Sequence, residues 1–410
     1  MSEHEAWRLF EVYGVEVEYM IVDRESLAVR PVADEVLKDL AGEYVQDIER
    51  GEYAWSNEIV CHLLELKTNG PTPSLGGLAD GFSAEVGFIN ERLASHGAML
   101  LGTGAHPLMS PERETRLWPH GDREIYHAYD RIFGCRGHGW SNLQSVHLNL
   151  PFAGDEEFGR LHAAIRLVLP IIPALSASTP ILDGQVTGYL DTRLETYRHN
   201  QDRIPSIAGR VIPERAFTEH DYGRLIFEPI ERDIRPHDPA GALEVVFLNS
   251  RGAIARFDRN AIEIRVIDTQ EAPAADLAVL DLVVAALRML IAEGTVPLAE
   301  QQAWPEDLLA DIFLAVVRDG DEAVIADRDF LHAFGLGDRR MPAGALWQSL
   351  ANRLAGTLSA PYRDAQARIL EDGPLARRLL RRLGPRPTPA RIGKLYGELA
   401  QSLARNHLWP

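Results

Sequence analysis

The chain has 410 residues, 46% of them hydrophobic and 25% charged, the proportions of a globular protein with a large buried core and not of a disordered or fibrous one. Sixty Asp and Glu against 42 Lys and Arg give a formal charge of -18, which repels a phosphate backbone and argues against a nucleic-acid binder. Cys61 and Cys135 are too few for a disulfide framework, and Met1 to Arg8 lack a basic start leading into an apolar run, so a reducing cytoplasm is the expected compartment.

Taken in chain order, the first patterned segment is Gly14-Val15-Glu16-Val17-Glu18-Tyr19-Met20-Ile21. Strand period two predicts Val15, Val17, Tyr19 and Ile21 on one face and Glu16 with Glu18 on the other. Two neighbouring like charges are tolerated cheaply only in water or around a cation. Glu58 to Thr68 reads as a second strand, with Glu65 and Lys67 on one face. Glu58 and Glu65 are an odd number of residues apart, so an unbroken strand sends them to opposite faces unless a bulge intervenes. Gly102 to Pro107 (GTGAHP) reads as a structural turn whose one reactive group is His106.

Ser145 to Leu150 places three aliphatic residues behind Ser145, His147 and Asn149. The loop Ser176 to Tyr197 is rich in Ser, Thr and Gly and carries Asp191 and Arg193, a guanidinium suited to gripping a carboxylate or phosphate. Asn260 to Asp268 is again a strand, with Ile262, Ile264 and Val266 to one side and Glu263 and Arg265 to the other. Helical segments near Leu78 to His96 and Phe158 to Leu175 interrupt these strands, which together predict an α+β fold with an antiparallel sheet.

After Pro273 the pattern is helical, which divides the chain into an α+β domain, 1–296, and a helical C-terminal region, 297–410. The most apolar stretch, Ala274 to Ala292, carries Asp276, Asp281 and Arg288 at spacings that predict the wet side of an amphipathic core helix, not a membrane span. Arg377, Arg378, Arg381 and Arg382 read as a solvated helix face, with a patch for an acidic partner as the alternative.

Four apolar-backed strands thus each present a carboxylate or imidazole on the opposite face. Hard oxygen donors with a single imidazole favour Mg2+ or Mn2+ over zinc, and several such cations suit phosphoryl transfer. No Walker motif is present, and Gly102-Thr103-Gly104 does not extend into a Rossmann fingerprint.

Gly14 to Tyr19, Asn57 to Pro73 (NEIVCHLLELKTNGPTP), Gly102 to Pro107, Ser141 to Pro151, Leu175 to Tyr197 and Asn260 to Asp268 resemble the glutamate-cysteine ligase family 2, the carboxylate-amine ligase group of the glutamine synthetase-like superfamily. The resemblance implies a curved antiparallel β-sheet funnel of glutamine synthetase type with flanking helices. ATP would enter one end, the amino-acid substrates the other, and divalent cations would sit at the waist. It further implies Glu16, Glu18, Glu58, Glu65, His147 and Glu263 as metal ligands, Arg265 as the contact to the transferred phosphoryl group, and Arg193 and Asn149 as substrate contacts.

The implied activity is ATP- and Mg2+-dependent ligation of glutamate to cysteine through an acyl phosphate, with release of ADP and phosphate. A different acid and amine pair, or a guanidino kinase-like phosphotransfer on the same fold, are the alternatives. A non-catalytic binding protein is disfavoured because every acidic and basic motif position is filled. The expected partners are ATP and small amino acids, with no nucleic acid and no membrane; a homo-oligomer is left open.

Overall fold

The computed structural model describes residues 6–337 and 340–410, so most of the Met1 to Arg8 reading lies outside the described residues. Its centre is an open antiparallel sheet of eight strands. In chain order these are β1 (Gly14–Asp23), β2 (Asp47–Arg50), β3 (Tyr53–Asn57), β4 (Leu63–Thr68), β5 (Ala98–Leu101) and β6 (Ser145–Pro151), followed after a small hairpin, β7 (Ile181–Leu182) and β8 (Gln185–Val186), by β9 (Ala253–Arg256) and β10 (Ala261–Asp268). The spatial order is β2-β3-β4-β1-β6-β10-β9, with β5 paired to the far half of β1.

Period-two alternation makes one side of this sheet a core layer. Val15, Val17, Tyr19, Ile21, Leu64, Leu66, Val146, Leu148, Leu150, Ile262, Ile264 and Val266 are all fully buried there. Helices Leu78–Leu93, Gly154–Val168 and Pro273–Ile291 pack together behind it. The opposite face carries the polar partners of every pair, and the antiparallel register decides which of them meet.

Two expectations are corrected. The helix Pro273–Ile291 has no wet side at Asp276 and Asp281, both of which are buried. Asp276 accepts the Gln270 N–H at 2.8 Å, and Asp281 accepts from Ser359 N, Ser359 Oγ and Gln366 Nε2 at 2.7 to 2.8 Å. Gln270 lies just before the helix, whereas Ser359 and Gln366 come from the C-terminal region, and periodicity within one helix cannot show what other segments lay over it. Only Arg288 of the three stays exposed.

The arginine run likewise is not one solvated face. Arg378 is buried, donating to Glu271 at 2.7 Å and to the Trp409 carbonyl at 2.8 Å, while Arg377 pairs with Asp321 at 3.0 Å. Among the described residues beyond 297, the regular structure is helical apart from the short pair Val324–Ile325 and Met341–Pro342, and the helix Pro389–Arg405 packs on β5 and on Leu78–Leu93. No described helix is long and apolar enough to cross a membrane.

Three buried imidazoles make the fold acid-sensitive. His162, stacked on Phe158, is pushed down to about 3 by burial and by Arg166, and burial holds His62 and His106 at about 4. Unfolded histidine titrates near 6.5, so each of these takes up a proton on unfolding below that pH. The stability they contribute is complete above pH 6.5 and is lost as pH falls toward 4. We expect His162→Gln to show a smaller drop in thermal midpoint between pH 7 and pH 5 than the parent. An equal drop would mean that His162 is already charged in the folded protein.

Candidate active site

The polar face of the sheet converges at its middle because β1 lies between β4 and β6. In register, Glu16 stands opposite Lys67 on one side and His147 on the other, Glu18 opposite Glu65, and Glu263 opposite Asn149. The donor atoms fall into two trios. Glu16, His147 and Glu263 form one, and Glu18, Glu58 and Glu65 the other, the ligand atoms of each trio lying within 4.8 Å of one another.

Glu58 joins the second trio because the strand expected from Glu58 to Thr68 is broken. The chain leaves β3 at Asn57, turns at Cys61 and His62, and returns as β4, with Asn57 opposite Leu64. The parity of an unbroken strand therefore does not apply, and the two carboxylates come from adjoining segments.

Hydrogen bonds fix the trios. The His147 Nδ1 is 3.1 Å from Glu16 and 3.7 Å from Glu263, and its Nε2 is 2.8 Å from Ser145 Oγ. Glu18 accepts from Ser145 N at 2.6 Å and from Ser145 Oγ at 2.9 Å. Asn149 donates to Glu16 at 3.1 Å, and Ser56 donates to Glu65 at 2.9 Å. Lys67 contacts Ser56 and Asp47 at 2.9 Å and Glu65 at 3.4 Å.

Electrostatics show two carboxylates of the second trio short of positive charge, whereas at Glu16 burial is outweighed by His147, Lys67 and Arg265, which draw it down to about 2. Burial, reinforced by Glu18, Glu65 and Glu16, pushes Glu58 well above the usual carboxylate range. Burial and Glu16 push Glu65 up to about 7. Burial opposes a charge on His147, yet the hydrogen bond to Glu16 and the charges of Glu263 and Glu18 raise it to about 9. A proton on His147 thus stands between two carboxylates where a divalent cation would satisfy both. Five carboxylates and one imidazole, partly buried and mutually repelling, are a donor set that fits Mg2+ or Mn2+ and carries no thiolate for a softer metal.

Arg265 reaches over the first trio, its Nε and Nη2 each 2.9 Å from Glu263. Asn149 lies on the same face, its amide spent on Glu16. Arg193 also lines the site, but its guanidinium is buried, paired with Asp268 and donating to the Arg265 carbonyl at 3.1 Å.

Two cavities open from the trios, and Glu18, Glu58, His147, Phe247 and Arg265 line both. The larger, about 680 Å3, adds Lys67, Arg256 and Arg259. The smaller, about 240 Å3, is walled by Tyr126, Tyr129, Trp140 and Tyr197. Sequence reading missed these walls. Lys67 was visible as the same-face neighbour of Glu65, whereas the aromatic residues sit on short helices and turns with no periodic polar face to mark them.

Comparison with known proteins identifies relatives of the chain. An uncharacterized protein of Archaeoglobus fulgidus is 38% identical over 311 residues, covering 75% of this chain and 80% of that protein. Among solved structures, the glutamate-cysteine ligase of Francisella tularensis in complex with AMP superposes with a TM-score of 0.59 at 12% identity, covering 98% of this chain and 90% of that one. A bifunctional glutathione synthetase of Pasteurella multocida gives 0.59 at 13% identity, covering 97% of this chain but 53% of that one. These two likenesses establish the shared fold. The family model for glutamate-cysteine ligase family 2 matches residues 12–396, and the chain therefore belongs to that family of ATP-dependent carboxylate-amine ligases.

Proposed function

We propose that this protein activates a carboxylate with ATP as an acyl phosphate and transfers the acyl group to an amine, glutamate and cysteine being the first pair to test. The observation that carries the reading is the pair of acidic trios beside Arg265, at the junction of two cavities of different character. The larger cavity suits the nucleotide, since the cations Lys67, Arg256 and Arg259 are among the residues that line it. The smaller suits the substrates.

A carboxylate is a poor acyl donor, so its oxygen first attacks the γ-phosphorus while the bond to the β,γ-bridging oxygen breaks and ADP leaves. The amine then attacks the acyl carbon and phosphate departs with the former carboxylate oxygen. Cations held by Glu16, Glu18, Glu58, Glu65, His147 and Glu263 would supply charge neutralisation around the phosphate oxygens when bound. Glu263 and Glu16 hold His147 in place, Ser145 orients Glu18, and Arg265 presents a fixed cation to the group in transfer. None of these residues needs to act as a nucleophile.

The test is incubation with ATP, Mg2+ and pooled amino acids, following ADP release and new product masses. Expected are ADP and a condensed product whose mass equals acid plus amine minus water. A stable phosphorylated product would make the protein a kinase, and no ADP with any pool would reject the ligase reading.

A further inference from the structure

We propose that Arg193 and Asp268 are positioning residues for Arg265, acting through a β-bulge in β10, and that Arg193 is not a substrate anchor; this rests on the phosphoryl role given to Arg265 above. The β10–β6 ladder pairs Ile264 with Leu148 but Ile267 with Val146. Arg265 and Val266 together therefore stand opposite His147, two residues against one, the arrangement of a bulge. A bulge withdraws backbone groups from the ladder, and buried ones must find partners elsewhere.

The Arg265 carbonyl does so, while its N–H extends the β9–β10 register onto Gly252, whose own N–H is taken by Val211. The Arg265 N–H donates to the Gly252 carbonyl at 3.0 Å, and the Arg265 carbonyl accepts from Arg193 Nη2 at 3.1 Å. The same Arg193 donates through Nε to Asp268 Oδ1. Asp268 Oδ2 in turn accepts from Ser178 N at 2.8 Å, Thr179 Oγ1 at 3.0 Å and Ser178 Oγ at 3.2 Å. Arg193 and Asp268 are 2% and 0% exposed, too enclosed to be free for a ligand.

Neighbouring segments close the arrangement. A Cβ on Gly252 would lie 2.5 Å from Val266 Cγ1, and one on Gly104 would lie 2.7 Å from Asp268 Cγ, so both chains approach as closely as glycine permits. The GTGAHP turn thereby acquires a role: it backs Asp268. Asp191 caps the helix Thr192–Tyr197 by accepting the Leu194 N–H at 2.8 Å, which sets Arg193 on the first turn. One planar guanidinium thus ties the strand end at Asp268 to the bulge carbonyl of Arg265 and fixes the direction of the Arg265 side chain. A lysine keeps the charge beside Asp268, but its single nitrogen lacks the fork that spans both acceptors.

The experiment is a double-mutant cycle of Arg193→Lys and Arg265→Lys, reading kcat per folded enzyme, KM for ATP, acid and amine, and thermal midpoint. Misplacement of a catalytic group by about 1 Å costs on the order of 10²-fold, so Arg193→Lys is expected to lower kcat by about that factor with KM within about 3-fold. In the Arg265→Lys background it is expected to add little, because the group it positions is already gone. Asp268→Asn, an isosteric change at the other end of the bridge, should follow the same pattern. Multiplicative losses in the double variant would overturn the proposal, as would a rise in KM for the carboxylate with kcat intact. If Arg265→Lys alone leaves kcat unchanged, the phosphoryl role itself fails, a result distinct from additivity between two damaging changes.

Discussion

Replacing Arg265 with Lys is expected to lower turnover by about 10³-fold while ATP affinity changes by less than about 10-fold, the behaviour of a group that acts on phosphoryl in transfer. The guanidinium stands over the first trio, 2.9 Å from Glu263, so under the proposed role it would address the same phosphate as a cation held by that trio. Lysine keeps the positive charge but loses the planar fork that meets two phosphate oxygens at once. A rise in the Michaelis constant with turnover intact would make Arg265 a ground-state anchor. A lower melting temperature with specific activity preserved in the folded fraction would reduce it to a structural ion pair with Glu263. Turnover, ATP affinity and melting temperature on the same preparation separate the three.

The second large effect is expected at Glu58. Its carboxyl faces Glu18 and Glu65 across the second trio and is held well above the usual range by burial and by their charges. Glu58→Gln removes an acid whose ionisation burial, Glu18 and Glu65 all oppose, while keeping the side chain's shape. Without metal the variant should melt no lower than the parent. Activity should nevertheless fall by at least about 10²-fold, the scale on which loss of a metal-site group is felt, and added Mg2+ should stabilise the variant less than the parent. Lower stability in metal-free buffer together with parental activity would show that Glu58 serves the fold and not the cation.

Much of this candidate site is legible in the sequence, for a physical reason. Alternation along a strand is local, so Glu16 with Glu18, His147 with Asn149 and Glu263 with Arg265 fall on the polar face from sequence alone. What alternation cannot give is pairing. That Glu16 and His147 share one trio while Glu18 joins Glu58 and Glu65 follows from the register of β1 between β4 and β6. The turn at Cys61 and His62 that returns β4 beside Glu58 was hidden because its flanking residues continue an apolar run.

Burial at long range was the least legible. Asp276 and Asp281 look like the wet side of a helix until Gln270, Ser359 and Gln366 are seen to donate to them. Arg193 looks like a free guanidinium in a loop, yet Asp268, far along the chain, holds it in the core. The aromatic walls of the smaller cavity, from Tyr126 to Phe247, belong to separate short elements that only the tertiary fold assembles.

The acyl-phosphate route at the two trios is tested most directly by oxygen tracing. With the competent acid carrying 18O in both carboxylate oxygens, turnover with ATP, Mg2+ and amine should place one labelled oxygen in each phosphate released, because the oxygen that attacks the γ-phosphorus leaves with it when the amine displaces it. Amide formation accompanied by unlabelled phosphate would contradict this route.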